Sequence, residues 1–248
     1  MGYVMSVSPD IGPDRIAGWY IFNTWMQRQL HQPIHLELFS NFQQQRDAIK
    51  RNEIDLIYAN PFDAAMLVRE KGFTVIAAPS NIHDEAVIAV RADSAVESIE
   101  SLPSECRAAV TDTPDINMIG KILLEPANIT SSSLHLTQAE TYITVVKLLL
   151  QNQADVGFFL ADAYDSFSRI VKQQMRVLMR SQINDVRHVL LAQASLQSHY
   201  TQLRELLAGM PHDQKGSDAL KSLGFSAWDI LEQEDTEFMI DLIDTLLD

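Results

Sequence analysis

The side chains best suited to acid and base chemistry in this sequence are one histidine and two aspartates. His83 directly precedes Asp84, and Asp115 follows Pro114 in a separate segment. An imidazole beside a carboxylate is able to take up and return a proton, so His83 with Asp84 or Asp115 is the candidate acid/base pair. No nucleophile stands at a spacing that completes a catalytic set with them. Enzyme activity is therefore an alternative here and not the first expectation.

Other motifs of catalysis and cofactor binding are missing from the sequence. There is no H-E-x-x-H, G-x-S-x-G, P-loop or G-x-G-x-x-G, so we expect no helical zinc site and no cofactor. The only cysteine, Cys106, has no partner for a disulfide and is predicted to be a core residue. Asp10 and Asp14 flank Pro13, and we expect them to be solvent-facing caps of the first helix.

Composition and charge exclude several classes of protein. Nineteen Lys and Arg against 33 Asp and Glu leave a formal charge of −14, which repels nucleic acids and anionic lipid surfaces. No apolar run reaches the roughly 18 residues of a membrane span, and residues 1–30 lack the pattern of an export signal. A periplasmic location is expected if such a signal was trimmed, and a cytoplasmic one otherwise.

Short apolar strands and helical patterns alternate along the chain. A first series of strands is predicted at residues 3–8, 34–39, 54–59 and 74–78. A second series is predicted near residues 85–90, 108–111, 133–136 and 156–160. This alternation predicts an α/β protein with two similar units, each a mostly parallel sheet flanked by helices.

Four segments in the correct order resemble a known family. Residues 48–61, A-I-K-R-N-E-I-D-L-I-Y-A-N-P, resemble the family signature A-L-x-x-G-x-x-D followed by two apolar residues, an aromatic residue and x-G-P. Residues 86–94 resemble its crossover strand, 99–102 its "sL-adL" segment and 152–157 its "n-G-x-v-D-a" turn. The family is that of the phosphate/phosphite/phosphonate-type periplasmic solute-binding proteins.

The resemblance implies a two-lobed fold whose hinge is formed by two crossover strands. The crossovers are expected near residues 80–86 and 179–186, with the ligand closed between the lobes by hinge motion. Lobe one would comprise residues 1–83 plus 182–248, and lobe two residues 84–181. The implied function is capture of a small polar solute by a monomeric receptor, with an ABC transporter permease as the partner.

In such folds the ligand lies beyond the C-terminal ends of strands and near helix N-termini. The candidate residues of this chain are Ser8, Tyr20, Tyr58, Asn60, His83, Asp84, Thr111, Thr113, Asp115, Asn117 and Asp162. Simpler roles fit some of them equally well. Ser8 could cap the first helix, Tyr58 could be a core aromatic, and Asn60 could serve only the turn before Pro61. Among the aromatic residues of the first helix, Tyr20 is the one most expected at the ligand.

Two acids depart from the family pattern. An S-T-S-G run normally anchors the anion at the start of a lobe-two helix, and this chain has residues 115–118, D-I-N-M, instead. Asp84 stands where a tyrosine usually opens the crossover strand. Asp115 could cap its helix and Asp84 could be a solvated loop residue. If both line the site, a ligand that carries an ammonium or other donor group, or a protonated acid, is favoured over free phosphate.

Three functions are therefore carried forward. The first is a receptor for a phosphonate-like or amino-bearing anion that serves an ABC transporter. The second is a cytoplasmic enzyme on the same fold, as in the menaquinone pathway, and the third is a ligand-sensing domain of a signalling protein.

Overall fold

The structure is a computed structural model that describes residues 2–184 and 186–247, with the backbone alone for residues 14, 233, 242 and 244–247. The chain forms two compact units. The first comprises Met1–Ile82 and Arg187–Asp244, and the second is built from His83–Val186. The assignment of residues 1–83 plus 182–248 and of 84–181 to two functional lobes stays a prediction, and Met1, Asp185 and Asp248 lie outside the described residues.

Strands and helices alternate through most of the chain. The strands are Tyr3–Val7 (β1), Ile34–Glu37 (β2), Leu56–Ala59 (β3), Thr74–Pro79 (β4), Ala86–Arg91 (β5), Cys106–Val110 (β6), Leu134–Gln138 (β7), Val156–Leu160 (β8), Met175–Arg180 (β9), Val189–Ala192 (β10) and Trp228–Ile230 (β11). The α-helices are Ile16–Leu30 (α1), Phe42–Lys50 (α2), Pro61–Lys71 (α3), Pro114–Leu123 (α4), Tyr142–Leu150 (α5), Ala161–Ser166 (α6), Arg169–Gln173 (α7), Tyr200–Gly209 (α8), Gln214–Leu223 (α9) and Gln233–Leu247 (α10).

Each unit contains one sheet, and both sheets are mixed. The first sheet has the order β11-β4-β10-β3-β1-β2, in which β1 is parallel to β2 and β3 while β10 and β11 run antiparallel to their neighbours. The second has the order β7-β6-β8-β5-β9, with β6 parallel to β7 and β8, and β5 antiparallel to β8 and β9.

The α/β fold with helix-flanked, mostly parallel sheets is confirmed: β1, β2, β3 and β4 run in one direction in the first sheet, and β6, β7, β8 and β9 do so in the second. The exceptions are β5, β10 and β11. Parallel neighbours need a crossover connection, usually a helix, between them. Among the described residues, no helix lies between β4 and β5 or between β9 and β10. Strand β10 returns to the first sheet where β3 ends, since Val189 pairs with Ala59. The chain therefore enters β10 in the opposite direction.

The core of the first unit is an aromatic cluster against one face of its sheet. Trp19 and Phe22 of α1 are fully buried and meet edge to face, with ring centroids 5.5 Å apart. Tyr58 of β3 packs on Trp19, and Phe225 and Trp228 join the same cluster. The apolar face of α1 thereby fixes the helix across the sheet.

No α-helix within residues 2–184 and 186–247 has both the length and the apolar character that a membrane span requires.

Candidate ligand-binding site

In the first unit, four polar or aromatic residues meet where β1 and β3 end and β10 begins. We call Ser8, Asp10, Tyr58 and His188 the strand-end cluster. Ser8 follows β1 directly, and its backbone N–H donates to the Tyr58 carbonyl at 2.8 Å. His188 precedes β10, whose first residue pairs with the last residue of β3. The antiparallel entry of β10 thus brings residue 188 beside residues 8–10, which the sequence separates widely.

Asp10 and His188 form a buried acid–imidazole pair. The distance from Nε2 of His188 to Oδ1 of Asp10 is 3.3 Å, and the side chains are 6% and 5% exposed respectively. Burial by itself raises the pKa of Asp10, but the charge of His188 and its hydrogen bond outweigh this and hold the pKa below the ordinary value. The expectation that Asp10 is a solvent-facing cap is therefore wrong. Sequence reasoning missed Asp10 and His188 because only the fold makes them neighbours.

The ring of Tyr58 packs against the imidazole of His188. The rings of Tyr58 and His188 are stacked with centroids 5.3 Å apart, and Tyr58 is itself 3% exposed within the aromatic core. Tyr58 is therefore a core aromatic that positions His188, as the simpler interpretation of its sequence context expected.

Asn60 and Tyr20 do not join the strand-end cluster. Asn60 caps α3: its Oδ1 accepts from the backbone N–H of Asp63 at 2.8 Å, and its Nδ2 donates to Oδ2 of Asp63 at 2.9 Å. Turn and capping chemistry accounts for this residue. Tyr20 is 51% exposed on α1, whereas its neighbour Trp19 is buried in the core.

In the second unit, hydroxyl and amide groups meet where β6 ends and α4 begins. Oγ1 of Thr111 and Oγ1 of Thr113 are 2.8 Å apart, and the Tyr142 hydroxyl donates to Oγ1 of Thr113 at 3.3 Å. Nδ2 of Asn117 donates to the Thr111 carbonyl at 2.8 Å. We call Thr111, Thr113, Asn117 and Tyr142 the hydroxyl cluster. Tyr142, the first residue of α5, was not predicted from the sequence.

Asp115 lies at the same helix N-terminus and is completely buried. The residue that caps α4 is Thr113, so Asp115 belongs to the first turn of the helix and does not occupy the cap position. Its exposure is 0%. A carboxylate is electrostatically favoured there, because the helix dipole places positive potential at the first turn.

His83, Asp84 and Asp162 lie at the same edge of the second sheet. β6 and β8 end at this edge, and β5 begins there because Ala86 pairs with Leu160. Asp84 is 5% exposed, and its N–H donates to the Val186 carbonyl at 2.7 Å. Nδ1 of His83 is buried without a hydrogen-bond partner among the described residues, while Asp162 is exposed in the first turn of α6. Asp84 is therefore not a solvated loop residue.

The described part of the chain contains no group of three or more side chains that could hold a metal ion. His31 and His35 are four residues apart, the spacing of a helical zinc site, but His31 ends α1 and His35 lies in β2. Cys106 is buried in β6, and burial raises the pKa of its thiol to about 12. Cys106 is thus an unreactive core residue, as predicted.

Comparison with known families decides what kind of protein this is. The family described as "ABC transporter, phosphonate, periplasmic substrate-binding protein" matches residues 5–236. The chain belongs to this family. It is therefore a ligand-binding receptor for an ABC transporter, which confirms the function implied by the sequence resemblance. No curated protein matches the chain in sequence.

Solved structures of binding proteins share its fold. XAC2383 from Xanthomonas citri, bound to chloride, is 15% identical with a TM-score of 0.81, and the match covers 99% of this chain and 98% of that one. PhnD1 from Prochlorococcus marinus, in complex with methylphosphonate, is 12% identical with a TM-score of 0.82 over 98% of this chain and 97% of that one. The phosphonate transporter binding protein PA3383 from Pseudomonas aeruginosa is 12% identical with a TM-score of 0.79, and the match covers 99% of this chain and 87% of that one. These likenesses confirm the periplasmic-binding-protein fold.

Proposed function

We propose that this receptor captures a small solute that carries both an acidic oxyanion and an amino group, and that it discriminates against free phosphate and simple alkylphosphonates. The observation that carries the proposal is Asp115, a fully buried carboxylate in the first turn of α4. The sequence resemblance supports this, because it leads us to expect the anion anchor at the same turn.

The hydroxyl cluster offers what the oxyanion needs. Thr111, Thr113 and Tyr142 present hydroxyl groups beside the N-terminus of α4, where backbone N–H groups also favour an anion. Asp115 opposes a second negative charge at the same place. Two unit charges of like sign about 4 Å apart repel by about 4 kcal/mol at an intermediate dielectric, so a ligand that is only an anion binds weakly. A cationic group on the ligand offsets this repulsion.

The mechanism is capture and release without a chemical step. Ligand binding shifts the receptor between populations of conformations, and only a difference in ligand affinity between these populations drives the shift. We propose that the receptor works as a monomer outside the cytoplasmic membrane and that an ABC transporter permease recognises the liganded form. A ligand-sensing domain of a signalling protein would use the same capture and stays an alternative prediction.

Isothermal titration calorimetry with a matched set of ligands tests the proposal. We expect 2-aminoethylphosphonate to bind about tenfold or more tightly than ethylphosphonate, and inorganic phosphate to bind more weakly than micromolar. The variant Asp115→Asn removes the repulsion, so it should bind ethylphosphonate about tenfold or more tightly than the wild type does.

Asp112→Asn is the control, because Asp112 is an exposed acid three residues away and its removal changes the net charge equally. Its affinities should match those of the wild type. Micromolar or tighter binding of phosphate or ethylphosphonate to the wild type would refute the proposed selectivity.

A further inference from the structure

Strand β9 forms an outer edge of the second sheet. The strand order is β7-β6-β8-β5-β9, so within the described residues β5 pairs with one side of β9 and no strand pairs with the other. The pairing of β9 with β5 is regular over Met175–Val177 and shifts register only after Val177. An edge strand presents backbone N–H and C=O groups to any further chain that lies alongside it. Met175–Val177 is therefore a regular template for one more strand.

One edge of the first sheet, by contrast, is covered by a helix. In β2, the Ile34 carbonyl accepts from Nδ2 of Asn23 at 3.0 Å, and the Ile34 N–H donates to Oε1 of Gln27 at 3.3 Å. Asn23 and Gln27 belong to α1, so this helix occupies pairing groups of β2. The helix beside β9 is α7, which instead packs inward through Val171 against the core around Phe159. Within the described residues, β9 lacks the cover that α1 gives to β2.

Large apolar side chains are exposed on β9 and on α7. Val177 is 42% exposed, and Ile170 is 71% exposed, the highest value among the described large apolar residues. The two elements contact each other, so we treat Ile170 and Met175–Val177 as one surface and call it the β9 edge surface. Apolar side chains that collect on a surface in this way mark a binding area for another molecule.

The segment that carries this surface is basic, although the protein is strongly acidic. Residues 166–184 contain no acid, whereas the whole chain has 33 Asp and Glu; their basic residues are Arg169, Lys172, Arg176 and Arg180. An ion pair with Asp165 at 2.7 Å neutralises Arg180, but Arg176 donates only to backbone carbonyls of residues 92–96 and so keeps its full charge. Arg169 is exposed at the first position of α7. The β9 edge surface is therefore positively charged.

The open strand edge, the apolar side chains and the charge together select one kind of occupant. A segment that pairs with β9 must be extended, and acidic residues among its apolar ones complement Arg169, Lys172 and Arg176. An anionic lipid surface supplies no backbone to pair with the strand, and the formal charge of −14 repels it. A second copy of the chain, joined β9 to β9, would bring the same basic side chains together and is opposed by their repulsion.

We propose that the β9 edge surface docks an extended segment of a protein partner that carries both acidic and apolar residues, and that this segment adds to the second sheet beside β9. Backbone pairing along Met175–Val177 sets the register of the segment. Val177 and Ile170 contact its apolar residues, and the basic residues attract its acids. The proposal does not depend on which solute the receptor captures.

Peptide titrations followed by fluorescence anisotropy test the docking. The probe is a short, labelled peptide of alternating Glu and Val. We expect it to bind at low salt with a Kd of about 100 μM or tighter, and about fivefold or more weakly at about 150 mM NaCl, which screens the charges. A peptide of alternating Lys and Val should not bind. The Glu and Val peptide methylated at every backbone nitrogen keeps its charge but cannot pair as a strand, so it should bind about tenfold or more weakly.

Variants of the chain locate the binding site of the peptide. Val177→Glu and Arg169→Glu should each weaken binding about tenfold or more, because each places an acid against the acidic segment. Arg169 lies outside the sheet, so Arg169→Glu keeps the test valid if Val177→Glu does not fold. Leu136→Glu is the matched control, since Leu136 is 44% exposed in β7 at the opposite edge of the same sheet, and this variant should bind as the wild type does. Amide hydrogen exchange should slow in Met175–Arg180 when the peptide binds and stay unchanged in β7.

Several results would overturn the proposal. They are no binding of the Glu and Val peptide at about 1 mM, equal binding of its methylated form, and wild-type affinity in both Val177→Glu and Arg169→Glu. Binding to phosphatidylglycerol vesicles that Arg169→Glu abolishes, without binding of the peptide, would assign the surface to a membrane instead. A dimer in analytical ultracentrifugation that Val177→Glu dissociates would assign it to a second copy. Each of these results leaves the capture of the solute unaffected.

Discussion

At the scale of single residues, a few of the acidic side chains are buried, whereas most of them lie on the surface. The chain has 33 Asp and Glu, and the buried ones among the described residues include Asp10, Asp63, Asp84 and Asp115. A buried carboxylate persists only where partners compensate for lost hydration. Asp10 has His188, whereas Asp63 has Asn60 and Arg46. A partner that neutralises or hydrogen-bonds the carboxylate compensates for part of the lost hydration.

Arg46 and Arg51 provide a matched pair of ion pairs, one buried and one exposed. Arg46 donates from Nε to Oδ1 of Asp63 at 2.7 Å, with side-chain exposures of 26% and 1%, while Arg51 and Glu53 are 57% and 53% exposed. Removing Arg46 leaves Asp63 buried with less compensation. We expect Arg46→Ala to lower the free energy of unfolding by about 2–3 kcal/mol in urea denaturation, and Arg51→Ala to leave the urea midpoint essentially unchanged. Equal losses in the two variants would show that Asp63 does not depend on Arg46.

At the scale of elements, strand ends and helix starts carry the polar chemistry. Thr113 begins α4, Asn60 begins α3, and Ser8 and His188 flank strands at one edge of the first sheet. Helix starts and strand ends expose backbone groups that only side chains, water or ligands satisfy. The same positions therefore serve either as caps or as binding groups, and Asn60 shows that the capping role sometimes uses the whole side chain.

The packing of α1 against α9 depends on a glycine. A Cβ atom at Gly18 would lie 2.2 Å from the Ser222 carbonyl oxygen and 2.6 Å from its carbon, both backbone atoms that cannot turn aside. We expect Gly18→Ala to separate the helices and to lower the free energy of unfolding by about 2 kcal/mol or more. Gly209→Ala on α8 is the control, since nothing lies within 4 Å of its Cβ position. It should be neutral or stabilise the protein by up to about 1 kcal/mol. A neutral Gly18→Ala in the same thermal or urea unfolding would contradict the close approach.

At the scale of the whole molecule, each unit has its own sheet and its own apolar core. The aromatic cluster around Trp19 and Tyr58 belongs to the first unit, and a cluster around Phe159 and Tyr164 belongs to the second. A chain of 248 residues is long enough to form two hydrophobic cores, one in each unit. The net charge of −14 is spread over both, and it opposes the compact state through self-repulsion.

Salt should therefore stabilise this protein. Raising NaCl from about 10 mM to about 150 mM shortens the Debye length from about 30 Å to about 8 Å and screens the repulsion among surface acids. We expect the Tm to rise by about 2–5 °C in scanning calorimetry without ligand. Choline chloride should give the same rise, which separates screening from binding of sodium. A Tm that is constant or falls would show that attractive ion pairs outweigh the net charge.

The sequence by itself determined the α/β class, the family and the positions of most elements. Apolar periodicity and turn residues are local properties, so strands such as Val156–Leu160 and helices such as α2 follow from residues close in the chain. The short helices α6 and α7 and the strand β11 were not predicted, because segments of three to six residues carry too weak a local signal.

Tertiary structure alone decided the direction of β10 and the pairing of Asp10 with His188. Val189 of β10 pairs with Ala59 of β3, and His188 meets Asp10, which is 178 positions away; no local pattern encodes either meeting. The same holds for burial: the sequence places Asp115 at a helix start, but only the fold removes its carboxylate from water, and the proposed effect on ligand choice depends on that burial.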